Sequence, residues 1–397
     1  MEENDVDARI DRLLEAHDPT TTDPVMFRGA VFDLGLAWIH LPEGSGGLGL
    51  APPVQRHIDT RLREAGMSSA HHSLSMGLVL AGPTLAVHGD AALRDRLLRR
   101  TYTGEELWCQ LFSEPGSGSD MAGLAAKAER DGDEWVINGQ KVWNTNAHLG
   151  DRGMLIARTD PDVPKHRGIT YFALDMHAPG VEVRPLRQMT GQAEFSEVYL
   201  TDVRVPDADR VGDLGDGWRV AMTTLANERT SIGGGGGSRG PGSGAIAEAV
   251  RIWQQEPNVR RTASARDRLT RLWIDAEVLR LTNRRASAAR RAGTPGPEGS
   301  IAKLAFGSLN QRIYELCVDL LGAEALVDAD YELRREDHVG YTGPPGSSRT
   351  MFLRSRANSV EGGTTEIQRN IVGERVLGLP GEPRVDRDLP WIEVPRS

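Results

Sequence analysis

Two strings in the middle of the chain combine residue types that can bind a planar or anionic ligand. Leu111 to Asp120 reads Leu-Phe-Ser-Glu-Pro-Gly-Ser-Gly-Ser-Asp. It joins hydroxyl groups and a rigid proline turn to glycines that let backbone N–H groups approach an anion or a ring edge. Further on, Trp143 and Thr145 stand two positions apart, so on a strand both point to one face and can contact one planar ligand. Taken singly, these strings also fit an ordinary turn and a buried core tryptophan.

A charged pair, Glu228 and Arg229, interrupts an apolar stripe in the second half of the chain. Glu228 falls at the edge of the stripe and Arg229 within it, the stripe being Trp218, Ala221, Leu225 and Ile232. Charged residues rarely face a core unless they are paired or take part in chemistry. The residues alone favour a buried ion pair between the two neighbours, with a catalytic carboxylate as the alternative.

Two glycine-rich strings do not support a nucleotide-binding motif. Gly44 to Gly49 matches Gly-x-Gly-x-x-Gly, but Pro52 and Pro53 stand where a helix should begin, and no series of alternating strands and helices follows. A turn is favoured there. Gly233 to Gly237 lacks the Gly-Lys-Ser/Thr ending of a phosphate-binding loop. The wider segment Gly233–Gly244 instead predicts a flexible loop between two helices.

Composition excludes several classes of protein. The 397 residues carry a formal charge of −9, which argues against a nucleic-acid-binding protein, and the longest apolar runs are too short to cross a membrane. The two cysteines, Cys109 and Cys317, lie far apart, and no histidine or cysteine spacing predicts a metal site or a disulfide framework. The acidic start of the chain lacks the pattern of a targeting signal, so a cytoplasmic location is expected.

The elements that must position these residues fall into three parts. Residues 1–108 show the helical period, as in Val6, Ile10 and Leu13. Residues 109–212 change to a period of two, with a hairpin turn at Asp131-Gly132-Asp133. Residues 213–397 return to long helical stretches. The prediction is a multidomain α+β fold with an N-terminal α-helical domain, a middle antiparallel β domain and a C-terminal bundle of long helices.

A third string, Glu361 to Arg369, reads Glu-Gly-Gly-Thr-Thr-Glu-Ile-Gln-Arg. With Ser113–Asp120 and Lys141–Asn146 it resembles the acyl-CoA dehydrogenase family, over about residues 10 to 380. The resemblance implies the fold predicted above, an acyl-CoA substrate, and FAD held between the β domain and the bundle. It places Phe112 and Ser113 at the pyrimidine edge of the flavin. The other implied cofactor residues are Gly118 and Ser119 (pyrophosphate or pantetheine side), Trp143 (dimethylbenzene face), Thr145 (N5 region), and Gly363, Thr364 and Glu366 (start of the last helix).

The family chemistry needs a carboxylate that removes an α-proton and hydrogen bonds that stabilise the thioester oxygen. In many members the base is the Glu of a Glu-Gly-Thr triplet, but that position is Gly362 here and Glu361 stands one residue earlier. Isovaleryl-CoA dehydrogenase-like members instead use a Glu before an Arg on the first long bundle helix. The resemblance therefore assigns the base to Glu228, substrate binding to Arg229, and a backbone contact with the thioester oxygen to Gly362.

The resemblance leaves three functions open. The first is dehydrogenation of an acyl-CoA, with an electron-transfer flavoprotein as the usual acceptor. The second is a flavin monooxygenase or oxidase on the same scaffold, against which Glu228 argues. The third is a non-catalytic partner subunit, because the Arg-x-x-Phe-Gly and Gln-x-x-Gly-Gly strings that reach a neighbouring subunit's FAD in many members are absent. The long amphipathic helices predict an oligomer built through the bundle, a homodimer or homotetramer or a hetero-oligomer.

Overall fold

The computed structural model describes residues 3–67, 74, 76–234, 240–291, 298–327, 347–383 and 386–395, without the side chains of 3–4, 229–234, 290–291 and 298. They fall into two compact units. The first unit is Met1–Leu186 with Phe195–Asn227 and Val385–Ser397, and the second unit is Arg187–Glu194 with Glu228–Arg384. The predicted domain boundaries after residues 108 and 212 stay a prediction.

In its described residues, the first unit begins with five α-helices. They are α1 (Glu3–Ala16), α2 (Pro24–Asp33), α3 (Val54–Glu64), α4 (Gly82–His88) and α5 (Ala91–Thr103). The apolar residues that predict α1, namely Val6, Ile10 and Leu13, are all buried. The Asp23 carboxylate caps α2 by accepting from the N–H groups of Val25 and Met26. Gly44–Gly49 forms a turn, in which the Gly46 carbonyl accepts from the Trp38 N–H at 2.9 Å.

An eight-stranded sheet follows in the described part of the chain. Its strands are β1 (Trp108–Leu111), β2 (Lys127–Asp131), β3 (Glu134–Thr145), β4 (Arg152–Arg158), β5 (Ile169–Asp175), β6 (Val181–Pro185), β7 (Phe195–Pro206) and β8 (Arg210–Val211). The order is β6-β7-β3-β2-β4-β5-β8, with β1 beside β4. The predicted hairpin joins β2 to β3. The pairing is antiparallel except that β1 and the start of β2 run parallel to β4, because these pairs are joined by long connections rather than by tight turns.

Strand β4 shows why this part of the sheet is apolar on both faces. Met154 and Ile156 pack into a core shared with the N-terminal helices, whereas Leu155 and Ala157 pack into a second core on the opposite face. All four side chains are fully buried. The first core also takes Val220, from helix α6 (Gly217–Gly234). The sheet is therefore a rigid support for the loops at its edges.

The second unit contains α7 (Ala245–Gln255), α8 (Ala263–Arg291), α9 (Glu298–Leu321), α10 (Ser348–Arg354) and α11 (Thr365–Arg375). The long stretches predicted to be helical match α6, α8, α9 and α11. Helices α7 and α10 are not predicted, because both are short and α7 follows Gly244 without a side-chain cap. They contribute Ile252 and Met351 to one core with Leu272 and Ile313. Residues 235–239 of the predicted glycine loop lie outside the described residues. So do His71 and His72, two neighbours in sequence that are predicted to lie on the surface side and the core side of a helix.

A buried ion pair ties the exit of β1 to the middle of β3. Lys141 is fully buried, and its Nζ donates to Glu114 Oε1 at 2.8 Å and to the Phe112 carbonyl at 3.1 Å. The Glu114 carboxylate also accepts from the N–H groups of Ala125 and Ala126 at 2.7 and 3.0 Å. Burial lowers the pKa of Lys141, and the adjacent carboxylate opposes that shift. The pair thus fixes both ends of the segment from Phe112 to Ala126.

Replacing Glu114 by glutamine should leave the Lys141 charge buried without its counter-charge. We expect Glu114→Gln to lower the free energy of unfolding by about 3–5 kcal/mol, the usual cost of breaking a buried pair. Chemical denaturation of the FAD-free protein measures this. The matched control is Glu129→Gln on β2, whose exposed ion pair with Lys127 should be worth less than about 1 kcal/mol. Equal stability of the two variants would contradict the assignment.

Candidate active site

The loop after β1, residues 112–120, begins with a buried residue and continues with small, exposed residues. Phe112 is buried edge-on against Tyr171 with ring centroids 5.9 Å apart, and the carbonyl of the half-buried Ser113 accepts from the Val142 N–H at 2.9 Å. Gly118 and Ser119 are exposed. A Cβ added at Gly116 or Gly118 would meet no described atom within 4 Å. The anchored start and the open end of this loop fit a surface on which a large ligand lies.

Strand β3 presents an aromatic plane next to this loop's anchor. Trp143 is 58% exposed and Thr145 is half-buried, whereas Asn144 between them is buried and donates to the Gln110 carbonyl at 2.7 Å. Both predicted residues therefore lie on the accessible side, and the alternative of a core tryptophan is wrong. A β-bulge that alternation does not predict interrupts β3 between Lys141 and Asn144.

The backbone at Trp143 is strained. Its φ is 62°, a left-handed value that a bulky residue rarely adopts. Asn146 follows with a φ of 53°. Such strain persists only where the surrounding structure enforces it, and it is concentrated at functional sites. The Trp143 and Phe195 rings are close to perpendicular, with centroids 5.9 Å apart, and the indole remains 58% exposed, which suits contact with a planar ligand.

In the second unit, two glycines form the turn that begins α11. Gly362 and Gly363 have φ values of 63° and 90°. The φ of Gly363 favours glycine there, and a Cβ would also lie 2.7 Å from Nε2 of the buried Gln368. Gln368 Nε2 donates to the Gly362 carbonyl at 3.0 Å, and Nζ of the buried Lys303 donates to the Gly363 carbonyl at 2.5 Å. Desolvation lowers the pKa of Lys303. No pattern in the sequence identifies Lys303 or Gln368 as supports of this turn.

The same turn leads into the predicted cofactor residues of α11. Thr364 caps the helix, with its Oγ1 accepting from the Ile367 N–H at 3.2 Å, and Glu366 is exposed in the first turn. The start of a helix presents free N–H groups and a positive dipole end, which suit the phosphates of a cofactor. The glycine turn and the cap are therefore chemically compatible with the anionic part of FAD.

Glu361 is engaged by two side chains of the second unit. Its Oε2 accepts from Arg354 Nη2 at 2.8 Å, and its Oε1 accepts from Asn358 Nδ2 at 2.6 Å. Arg354 is almost fully buried and also lies 3.6 Å from Glu194. Both carboxylate oxygens of Glu361 therefore take part in contacts within the second unit. Arg354 and Asn358 stand outside the predicted site, and only their contacts identify them.

Glu228 lies on α6 at the edge of the predicted stripe. Ala221 is fully buried, Trp218 and Leu225 pack partly into the first unit's core, and Glu228 is half-buried. The side chains of Arg229 and Ile232 lie outside the described residues. The sequence does not predict the buried Thr224, whose Oγ1 lies 3.0 Å from that of Thr84.

Among the residues that the structure describes, no cluster of three or more His, Cys, Asp or Glu side chains is arranged to hold a metal ion. None of the helices within the described ranges is long and apolar enough to span a membrane. The exposed indole of Trp143 is chemically compatible with a flavin ring, and the open glycines of the loop after β1 are compatible with the phosphates of FAD.

Comparisons with known proteins agree with this chemistry. The middle domain of acyl-CoA dehydrogenases matches residues 109–203, and the C-terminal domain of acyl-CoA dehydrogenases matches residues 215–377. Acyl-CoA dehydrogenase IpdE1 of Mycobacterium tuberculosis is 37% identical over 361 residues, which cover 88% of this chain and 86% of that protein. Acyl-CoA dehydrogenase FadE34 of the same organism is 39% identical over 88% of this chain, which spans only 46% of FadE34.

Solved structures show the same fold. A chain of the ChsE4-ChsE5 complex from Mycobacterium tuberculosis superposes with a TM-score of 0.67 at 27% identity, over 94% of this chain and 93% of that chain. An acyl-CoA dehydrogenase from Geobacillus kaustophilus gives a TM-score of 0.66 at 21% identity, over 95% and 98%. The chain therefore belongs to the acyl-CoA dehydrogenase family of FAD-dependent oxidoreductases.

Proposed function

We propose that this chain dehydrogenates an acyl-CoA between the α and β carbons to give the 2-enoyl-CoA, with Glu228 as the base. The observation that carries the proposal is that both carboxylate oxygens of Glu361 already accept hydrogen bonds from other side chains. This carboxylate is adjacent in sequence to the usual base position, yet Arg354 and Asn358 engage its two oxygens. A glycine occupies the usual position itself. Glu228 is the remaining carboxylate that the family resemblance assigns to this step.

The proposed roles of the other residues follow from what the reaction needs. Glu228 accepts the α-proton, and Arg229 contacts the substrate. The Gly362 N–H donates to the thioester oxygen, where negative charge develops as the proton leaves. The Gln368 and Lys303 contacts to the turn carbonyls support this role, because they fix the orientation of the glycine backbone. Bound FAD supplies the hydride acceptor for the β-carbon.

Cofactor binding is proposed for the residues that the family resemblance assigns to FAD. In the first unit these are Phe112, Ser113, Gly118, Ser119, Trp143 and Thr145. In the second unit they are Gly363, Thr364 and Glu366. The exposed indole of Trp143 and the space beside Gly118 support the first set. The capped start of α11 supports the second. An electron-transfer flavoprotein is the proposed acceptor.

A mixed assembly is the second candidate function, in which this chain pairs with a different subunit. The family strings that reach a neighbour's FAD are absent from this sequence. One structural relative was solved as the ChsE4-ChsE5 complex, a complex of two differently named proteins. Both observations favour a partner that completes the cofactor site.

The surface of α8 supports assembly through the bundle. Ile274, Val278 and Leu281 are 51%, 57% and 52% exposed, and their spacing of four and three residues places them on one helix face. Three large apolar side chains on one face form an exposed apolar patch, which commonly marks an interaction site. We propose that another subunit covers this face.

Flavin binding tests whether the chain carries its own cofactor. The purified protein should show flavin absorbance and release FAD on denaturation, because no cysteine or histidine stands in the proposed flavin motifs. Trp143→Ala should weaken FAD binding roughly three- to tenfold through the lost ring contact. Met26→Ala, an exposed change on α2, should leave it unaltered. FAD recovered only after co-expression with a second gene product would favour the mixed assembly.

The choice of base can be tested by single-turnover flavin reduction without oxygen, which reports the chemical step before product release. Glu228→Gln should retain FAD and lose at least about 10²-fold in rate, as expected for removal of a general base. Glu361→Gln should lose far less, because its carboxylate serves Arg354 and Asn358. A native rate in Glu228→Gln together with an inactive Glu361→Gln would assign the base to Glu361.

The proposed α8 interface can be tested by light scattering at micromolar concentration. The native chain should have a mass of two or four times 43.3 kDa. Val278→Asp should shift the mass toward that of the monomer, because the substitution would bury a charge in the interface. Arg271→Ala on the same helix removes an exposed ion pair with Asp267 and should leave the mass unaltered. A native chain that runs as a monomer would contradict a homo-oligomer.

A further inference from the structure

The last described segment of the chain, residues 386–395, packs onto the first unit beyond the residues that match the family domains. Trp391 is buried, and its backbone N–H donates to the Val163 carbonyl at 2.9 Å. The Ile392 N–H donates to the Pro161 carbonyl at 3.0 Å. We call residues 386–395 the C-terminal strap. It lies against the connection between β4 and β5.

The strap reaches the segment that follows the proposed flavin loop. Trp391 Nε1 donates to the Gly123 carbonyl at 3.2 Å. The indole ring also lies under the guanidinium of the buried Arg158, 4.7 Å from its centroid. That guanidinium donates to the Ala122 carbonyl at 2.5 Å and to the Lys165 carbonyl at 2.6 Å. Trp391 therefore contacts residues 122–124 both directly and through Arg158.

A second link runs through charge. Lys165 Nζ lies between two carboxylates, 2.9 Å from Asp120 Oδ2 and 2.6 Å from Asp386 Oδ2. The lysine side chain is only 11% exposed, so this three-charge group is partly shielded from water. Asp120 in turn accepts, through its carbonyl, the Ser117 hydroxyl at 2.6 Å. The strap is thus connected to both ends of the run from Ser117 to Gly123.

We propose that Asp386 and Trp391 are positioning residues for FAD, acting by holding residues 117–124 in the conformation that binds it. The inference rests on the proposed cofactor role of Gly118 and Ser119, which lie in this run. Both are small and exposed, so the loop is costly to order when a ligand arrives. Contacts that order a loop beforehand remove that cost from the binding step.

A structural role and a positioning role of the strap have different measurable consequences. A structural strap stabilises the folded protein and leaves the FAD dissociation constant of the folded molecules unaltered. A positioning strap changes local order at residues 117–124 and FAD affinity together. Hydrogen exchange read by mass spectrometry on FAD-free protein reports the first quantity, and fluorescence titration with FAD reports the second.

The variants are Asp386→Asn and Trp391→Ala, with Asp388→Asn as the matched control because Asp388 is exposed on the same strap. Asp386→Asn and Trp391→Ala should speed amide exchange within residues 117–124 and weaken FAD binding roughly five- to tenfold. Trp391→Phe keeps a ring beneath Arg158 and loses the N–H to Gly123, so it should fall between Trp391→Ala and the native protein. Should Trp391→Ala fail to fold, Asp386→Asn and Trp391→Phe decide.

Two results would overturn the inference while leaving the proposed function intact. One is an FAD dissociation constant in Asp386→Asn and Trp391→Phe within twofold of Asp388→Asn. The other is weakened FAD binding with unaltered exchange at residues 117–124. Failure of the native protein itself to bind FAD would instead overturn the proposed function along with the inference, so the two failures are distinguishable.

Discussion

The geometry of the first unit's candidate site depends on a charge that has no access to water. Lys141 is fully buried, and its ammonium is satisfied by the Glu114 carboxylate and the Phe112 carbonyl. The Glu114 carboxylate also accepts from the backbone N–H groups of Ala125 and Ala126, which directly precede β2. One carboxylate therefore fixes three chain segments. A buried charge tolerates little displacement of its partners, since each lost contact leaves an ion in a medium of low polarity. The exposed glycine loop therefore begins and ends at fixed points.

The helices and strands were largely predictable, because periodic burial dominates them. The one-face spacing of Val6, Ile10 and Leu13 and the two-residue alternation of Val203 and Val205 in β7 follow directly from which side chains must leave water. The bulge at Trp143 was not predictable, because it depends on how β3 pairs with β7, two strands far apart in the chain. Helix α7 is not predicted, because the glycines that precede it provide no side-chain cap that would mark the start of a helix.

The candidate site was predictable only where short strings carry the signal. Strand spacing predicts a shared face for Trp143 and Thr145, but it predicts neither the exposure of that face nor the strained φ at Trp143. Three side chains support the turn: Lys303 comes from α9, 60 positions away, whereas Arg354 on α10 and Gln368 on α11 are near it in sequence. Their types are ordinary for a helix surface. Only the folded chain shows that Lys303 and Arg354 are buried and that each holds part of the turn around Gly362.

The exposure of Trp143 has a spectroscopic consequence. Trp38, Trp108, Trp135 and Trp391 are buried and Trp273 is 39% exposed, whereas Trp143 is 58% exposed. Its emission should therefore be at longer wavelength and should be accessible to a small quencher such as iodide. A ring that stacks on this indole would shield it and accept its excitation energy. Trp143, a strand residue with a left-handed φ, is thus an optical reporter of whether that face is occupied.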